Sequence, residues 1–302
     1  MKRFKASPTI AVATVALVVA SANAFQPTVD GTIAGDAYGP ARAVQAVQTQ
    51  FGDNQSELNA AYGTIESGRL YLALTGNLEA NFNKLEIFID SQAGGFNQFP
   101  NTMPGNDGVG VMTGLFFDTG FDADYHLIIR RGNAGGNDLF DVDMAILGTA
   151  NFSAYSDIFG GLEGSAMTGT GPGNASPLEV AYNNANMAGV AGGTGAADQA
   201  AAMAVQTGLE LSIALSDLGN PAGAFNILAF VNGSGHHFAS NQFLGSLTPP
   251  QGNLGGDGNG NFTGELNIDL DNFAGQQWFT VPEPGSLLLL GAGLVGLLRR
   301  RA

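Results

Sequence analysis

Through the middle of the chain, apolar residues recur at every second position. Leu70, Leu72 and Leu74 alternate with Tyr71, Ala73 and Thr75, and Leu85, Ile87 and Ile89 alternate with Glu86, Phe88 and Asp90. The same step carries Leu127 and Ile129 against His126, Ile128 and Arg130, and Phe140, Val142, Met144 and Ile146 against Asp141, Asp143 and Ala145. It returns in Leu209, Leu211, Ile213 and Leu215 against Glu210, Ser212, Ala214 and Ser216, and in Leu266, Ile268 and Leu270 against Asn267, Asp269 and Asp271. A period of two sends successive side chains to opposite faces of a strand, whereas a helix would repeat its apolar face every three to four residues. With further runs at 43–48, 58–66, 178–183 and 225–232, the pattern predicts an all-β fold, a two-sheet antiparallel β-sandwich whose strands each keep one polar face. Tyr71 is then expected on a solvent face, and Asp141 and Asp143 on a solvated edge.

The connections are uneven. Ser67-Gly68 separates two of the runs and suits a tight hairpin with positive φ. Elsewhere long Gly/Asn/Ala-rich stretches intervene, at 92–110, 160–177, 184–204 and 249–264. Loops of that length are usually functional or disordered, and with few charged or aromatic residues these are expected to bury little surface. One short helix is expected at 196–205, which is rich in alanine and has Asp198 near its start.

Both ends read as addresses. Met1-Lys2-Arg3-Phe4-Lys5, an apolar stretch at 10–20 and Ala22-Asn23-Ala24 make a signal peptide of residues 1–24, with Ala22 and Ala24 flanking the expected cleavage by signal peptidase. Val281-Pro282-Glu283-Pro284-Gly285-Ser286 precedes an apolar run from Leu287 to Leu298 and then Arg299-Arg300-Arg301. A helix over that run would be about 18 Å long against a bilayer core of roughly 30 Å, a short membrane helix suited to transient anchoring in the inner membrane. The body is therefore 25–280 and the sorting segment 281–302.

Charge and cysteine content narrow the partners. In the body, Arg42, Arg69, Lys84, Arg130 and Arg131 stand against 25 acidic residues, a net charge of roughly −20. Such a surface repels nucleic acid, which is excluded as a partner, and attracts divalent cations. There is no cysteine, so an exported chain stands without disulfides.

Pro282, Glu283 and Pro284, followed by the apolar run and the arginines, resemble the PEP-CTERM sorting signal of Gram-negative bacteria. That resemblance implies export, removal of the tail by a membrane-embedded exosortase, and delivery to the cell surface or the extracellular polysaccharide matrix. In the body, Thr28-Val29-Asp30-Gly31-Thr32-Ile33-Ala34-Gly35-Asp36, the runs 69–75 and 85–90, and Glu210-Leu211-Ser212-Ile213-Ala214-Leu215-Ser216-Asp217-Leu218-Gly219 resemble family 9-like carbohydrate-binding modules and related DOMON-like sandwiches. That likeness implies sugar binding or, in some relatives, haem. The body departs from both patterns, because its one tryptophan is Trp278 and no paired His/Met ligands stand out.

Few motifs carry chemistry. Gly291-Ala292-Gly293-Leu294-Val295-Gly296 spells G-x-G-x-x-G but lacks the βαβ context of a dinucleotide site. H-E-x-x-H and G-x-S-x-G are absent. His236-His237 read as a solvated loop pair. Asp118, Asp122 and Asp124 crowd one turn and are the candidate calcium ligands, since calcium favours several close, flexible oxygens. Asp257-Gly258-Asn259-Gly260-Asn261 begins like an EF-hand loop but has Phe262 where glycine is needed, so turn formation is the simpler reading. No cofactor other than calcium is expected. The sequence thus points to an exported, non-catalytic surface or matrix protein with a structural or polysaccharide-associating role. The alternatives are a secreted carbohydrate-active enzyme and a scaffold without ligand.

Overall fold

The computed structural model describes residues 26–101, 105–245 and 247–283. The signal peptide with Ala22 and Ala24, Pro284 and the apolar run with its G-x-G-x-x-G lie outside them. Among the described residues no helix is long and apolar enough to cross a membrane.

The alternating runs become strands. In chain order they are β1 (Ala43–Val44), β2 (Glu57–Glu66), β3 (Arg69–Asn77), β4 (Lys84–Asp90), β5 (Tyr125–Ala134), β6 (Asn137–Ile146) and β7 (Phe152–Tyr155). Then come β8 (Gly164–Met167), β9 (Glu179–Tyr182), helix α1 (Gln199–Ala204), β10 (Gly208–Ala214), β11 (Phe225–Asn232), β12 (Ala239–Leu244) and β13 (Phe279–Val281). One sheet runs β1-β2-β3-β10-β9-β8 and the other β12-β11-β4-β5-β6-β7, with β13 sharing the edge of β11 beside β12. All strand pairings are antiparallel. Ser67 and Gly68 turn the β2–β3 hairpin at φ 51° and 77°, the geometry their dipeptide suggested. Asp198 caps α1, accepting from the backbone N–H groups of Ala200 and Ala201.

The apolar set of each strand meets the other sheet. Leu70, Leu72 and Leu74 face Leu85, Ile87, Ile89, Leu127 and Ile129 across one continuous core, which also takes Phe279 and Val281 of β13. Val281 lies so close to β2 that a Cβ on Gly63 would fall 2.5 Å from its Cγ2.

The outer faces differ from the sequence expectation. Neither sheet leaves the middle of its second face to solvent. Tyr71 is 3% exposed, packed with Tyr38, Tyr62 and Ala73 beneath an N-terminal arm that brings Val29 and Ile33. On the second sheet, Phe88, Ile128, Leu228 and Phe230 form a further core with Phe99, Val109, Met112, Leu115, Phe117 and Phe121 from the β4–β5 connection and Leu254, Leu266 and Ile268 from the β12–β13 connection. These connections form a cover layer rather than spacers; a buried phenylalanine contributes roughly 1.5–3 kcal/mol. The run 266–270 is part of this cover and not a sheet strand. Its alternation survives, with Leu266, Ile268 and Leu270 buried, because Phe116 bridges to Gln98 on one side and to Asp269 on the other. Strand β8 likewise falls inside a stretch read as loop. Its sequence Gly-Ser-Ala-Met lacks the bulky alternation that marks a strand, and pairing with β9 supplies its structure.

Burial of both faces sets a mutational expectation. Leu72→Asp and Tyr71→Asp should each destabilise the protein by about 3–5 kcal/mol, because both place an unpaired charge in an apolar environment. Urea unfolding of the two variants checks this, with similar losses expected from either face.

Candidate functional site

The outer face of the second sheet carries a buried charge network. Glu86 on β4 and His126 on β5 are diagonal neighbours in register, and both side chains are 0% exposed. His126 Nε2 lies 2.8 Å from one Glu86 oxygen, and His236 Nδ1, from the β11–β12 turn, lies 2.6 Å from the other. Asn232 donates a third bond to Glu86 at 3.1 Å. His236 Nε2 reaches Asp107 at 3.1 Å, and the same Asp107 oxygen takes Lys84 Nζ at 2.7 Å and Arg130 Nη1 at 3.2 Å. Arg130 extends the chain to Asp143 at 3.0 Å and Asp141 at 3.2 Å. The His126 ring stacks on Phe88, with centroids 4.3 Å apart.

Two readings from sequence are corrected here. Asp141 and Asp143 are buried ion-pair partners of Arg130 rather than a solvated edge, because the cover closes over that face. His236 is 1% exposed rather than solvated, whereas His237 is half-buried with its ring edge-on to Phe262. Parity was the available signal: positions 84, 86, 126, 130, 141 and 143 are the polar set of three neighbouring strands. What the sequence lacked was the knowledge that loops bury that set.

Electrostatics follow from the geometry. Burial opposes ionisation of Glu86, but the two histidines outweigh it and hold its carboxyl well below the usual range. Burial also works against a charged His236, yet the Glu86 charge and the Asp107 hydrogen bond push it up to about 9. Burial raises Asp143, with Arg130 pulling the other way. Glu86 and His236 therefore form a buried ion pair that His126 joins by a hydrogen bond, and His236 carries it to Asp107 of the cover; the three side chains are at most 1% exposed.

The first sheet has a counterpart. Glu210 on β10 is 1% exposed and accepts from the backbone N–H groups of Asp30, Gly31 and Thr32 and from the Tyr38 hydroxyl. Burial pushes its carboxyl up to about 7 against those four donors. Asp30 and Asp36 lie close enough to Glu210 to form a three-carboxylate group. Each already accepts a turn N–H, from Thr32 and Thr28 respectively, so the group pins the N-terminal arm.

The candidate calcium ligands are not gathered into one site among the described residues. Asp118 accepts from the Gln277 N–H at 3.2 Å, Asp124 accepts from Ser91 and Gln92 at 2.8 Å each, and Asp122 points to solvent. Asp257 bonds the N–H groups of Asn259 and Asn261 and the Asn261 amide, which is the behaviour of a turn former. Trp278 packs beside Phe121 rather than standing as an open platform. On the outside of the cover, two clefts of about 510 and 410 Å³ share Asn267 and Asp269.

The sorting segment starts inside the fold. Phe225 pairs with Val281 and Asn226 with Thr280, so β13 delivers Pro282 and the exposed Glu283 directly from the sheet edge. The architecture is that of an antiparallel β-sandwich bearing an appended sorting tail. Residues 280–302 match the PEP-CTERM protein-sorting motif. The tail marks an exported protein that exosortase sorts to the cell surface of a Gram-negative bacterium. No curated protein and no solved structure matches the chain.

The pH dependence of folding has a definite sign. For both Glu210 and His236 the folded value exceeds the unfolded one, so each contribution is complete below the unfolded value and is lost as pH rises through the folded value. Glu210 acts between 4.5 and about 7, and His236 between 6.5 and about 9. The His236 contribution is on the order of 3 kcal/mol. Urea melts from pH 6 to 10 should show the upper loss in the wild type and a flatter profile in His236→Gln.

Proposed function

We propose that this chain is a non-catalytic component of the cell surface or extracellular matrix that associates with extracellular polysaccharide. The observation that supports this reading is how the reactive groups are used. The carboxylates with large shifts, Glu86, Asp107 and Glu210, are all engaged as structural acceptors, and two of the three histidines are buried against Glu86. Two exposed clefts on the cover are instead lined by amides, carboxylates and phenylalanine, groups that hold hydroxylated chains by hydrogen bonds and stacking. Delivery by the sorting tail brings such a surface to the matrix.

Two measurements test the proposal together. The purified chain should be retained on extracellular polymer recovered from the producing cells, with no release of reducing ends. Replacing Pro282, Glu283 and Pro284 together by alanine should leave the protein in the membrane fraction and deplete it from the matrix. Retention no greater than that of an unrelated acidic protein would favour a scaffold without ligand. Appearance of reducing ends would make the protein a carbohydrate-active enzyme.

A further inference from the structure

We infer that the outer surface of the cover layer is a binding site for a glycan chain without negative charge, seated across Phe116 and Asn267. This rests on the polysaccharide-associating reading above and assigns it to one surface. In the cover the period of two persists, so Phe99, Leu115, Phe117, Ile268 and Leu270 point into the second core while Gln98, Phe116 and Asp269 point out. Phe116 is 40% exposed, whereas Phe99, Phe117 and Phe121 are buried. Its outward ring adds little to the core, and a flat apolar face flanked by hydrogen-bonding groups suits the C–H face of a sugar ring.

The row is held by backbone bonds. Phe116 N donates to Ile268 O at 2.8 Å, Leu270 N to Phe116 O at 3.0 Å, and Phe99 N to Leu115 O at 2.9 Å. Beside the ring, Gly114 allows a close approach that no other residue would permit, since a Cβ there would fall 1.8 Å from Asn267 Oδ1. Asn267 and Asp269 line both clefts, and Gln98 lines the larger one with Phe116. The two clefts, of about 510 and 410 Å³, share Asn267 and Asp269, so a ligand chain that reaches both would pass over these residues.

Charge selects the ligand class. No lysine or arginine lines either cleft, while Asp257 and Asp269 do. All five cations of the body are engaged elsewhere: Arg42 on Gly63, Arg69 on Ser212 and Glu179, Arg131 on Glu163 and Tyr182, and Lys84 and Arg130 in the buried network. A polyuronate would be repelled, whereas neutral and amino sugars would not.

Calorimetric titration of the full chain with cellohexaose, laminarihexaose, a glucosamine hexamer and an oligomannuronate tests the assignment. A neutral or amino-sugar probe should bind below millimolar concentration and more tightly than the oligomannuronate. Phe116→Ala should weaken that binding about tenfold or more with unchanged melting, as expected for an aromatic anchor. Asp269→Asn keeps the cap on the Asp271 N–H and should weaken an amino-sugar probe most. Phe262→Ala removes another exposed ring, one outside both clefts, and should change nothing. Failure of every neutral and amino-sugar probe, or equal binding by Phe116→Ala, overturns the assignment. If the native polymer still retains the wild type and the Phe116→Ala variant equally, only this surface is wrong. If the polymer retains neither, the polysaccharide reading falls with it.

Discussion

A carboxylate with no access to water must be answered by charge and hydrogen bonds, and Glu86 is where this protein meets that demand. Its two oxygens take His126 from the neighbouring strand, His236 from the β11–β12 turn and Asn232 from β11. Because His236 also holds Asp107 of the cover, and Asp107 holds Lys84 and Arg130 of the sheet, the sheet and the layer over it close as one ionic unit. Removing one partner of such a group typically costs about 3–5 kcal/mol, a large share of the stability of a domain.

The same device appears once on each sheet. Glu210 grips three backbone N–H groups of the N-terminal arm, and Glu86 grips His236 of the β11–β12 turn, which in turn holds Asp107 of the cover. In a chain without cysteine these buried glutamates add to the backbone hydrogen bonds and apolar packing that fasten the loops. Two of the five cations in the body, Lys84 and Arg130, are committed to the buried network through Asp107, Asp141 and Asp143. The sorting tail joins the same framework, since the strand that supplies Val281 to the core runs straight into Pro282.

The period of two made the sheets legible, and most strands lie where the alternation places them; Phe225–Asn232 has the bounds read from sequence. The outer faces were not legible, because alternation reports that a strand has two chemically different faces and not what lies over each. Asp141, Asp143 and Glu86 look like solvent positions until Phe99, Phe117 and Leu266 close above them. These covering residues are scattered singly among glycines and asparagines, so no local window flags them as a layer. The surface clefts were equally invisible, since Gln98, Phe116 and Asn267 come together only through isolated bridges between distant loops. The sorting motif, by contrast, is local and contiguous and was legible outright.

If the ionic clamp joins the cover to the second sheet, the two must unfold together. Native-state hydrogen exchange reads this directly at the amides of Phe116 and Leu270 in the cover and those of β4 and β5 beneath it. The account predicts opening free energies that agree within about 1.4 kcal/mol, a tenfold difference in exchange. Cover amides that exchange several hundredfold faster, through local opening above an intact sheet, would contradict it.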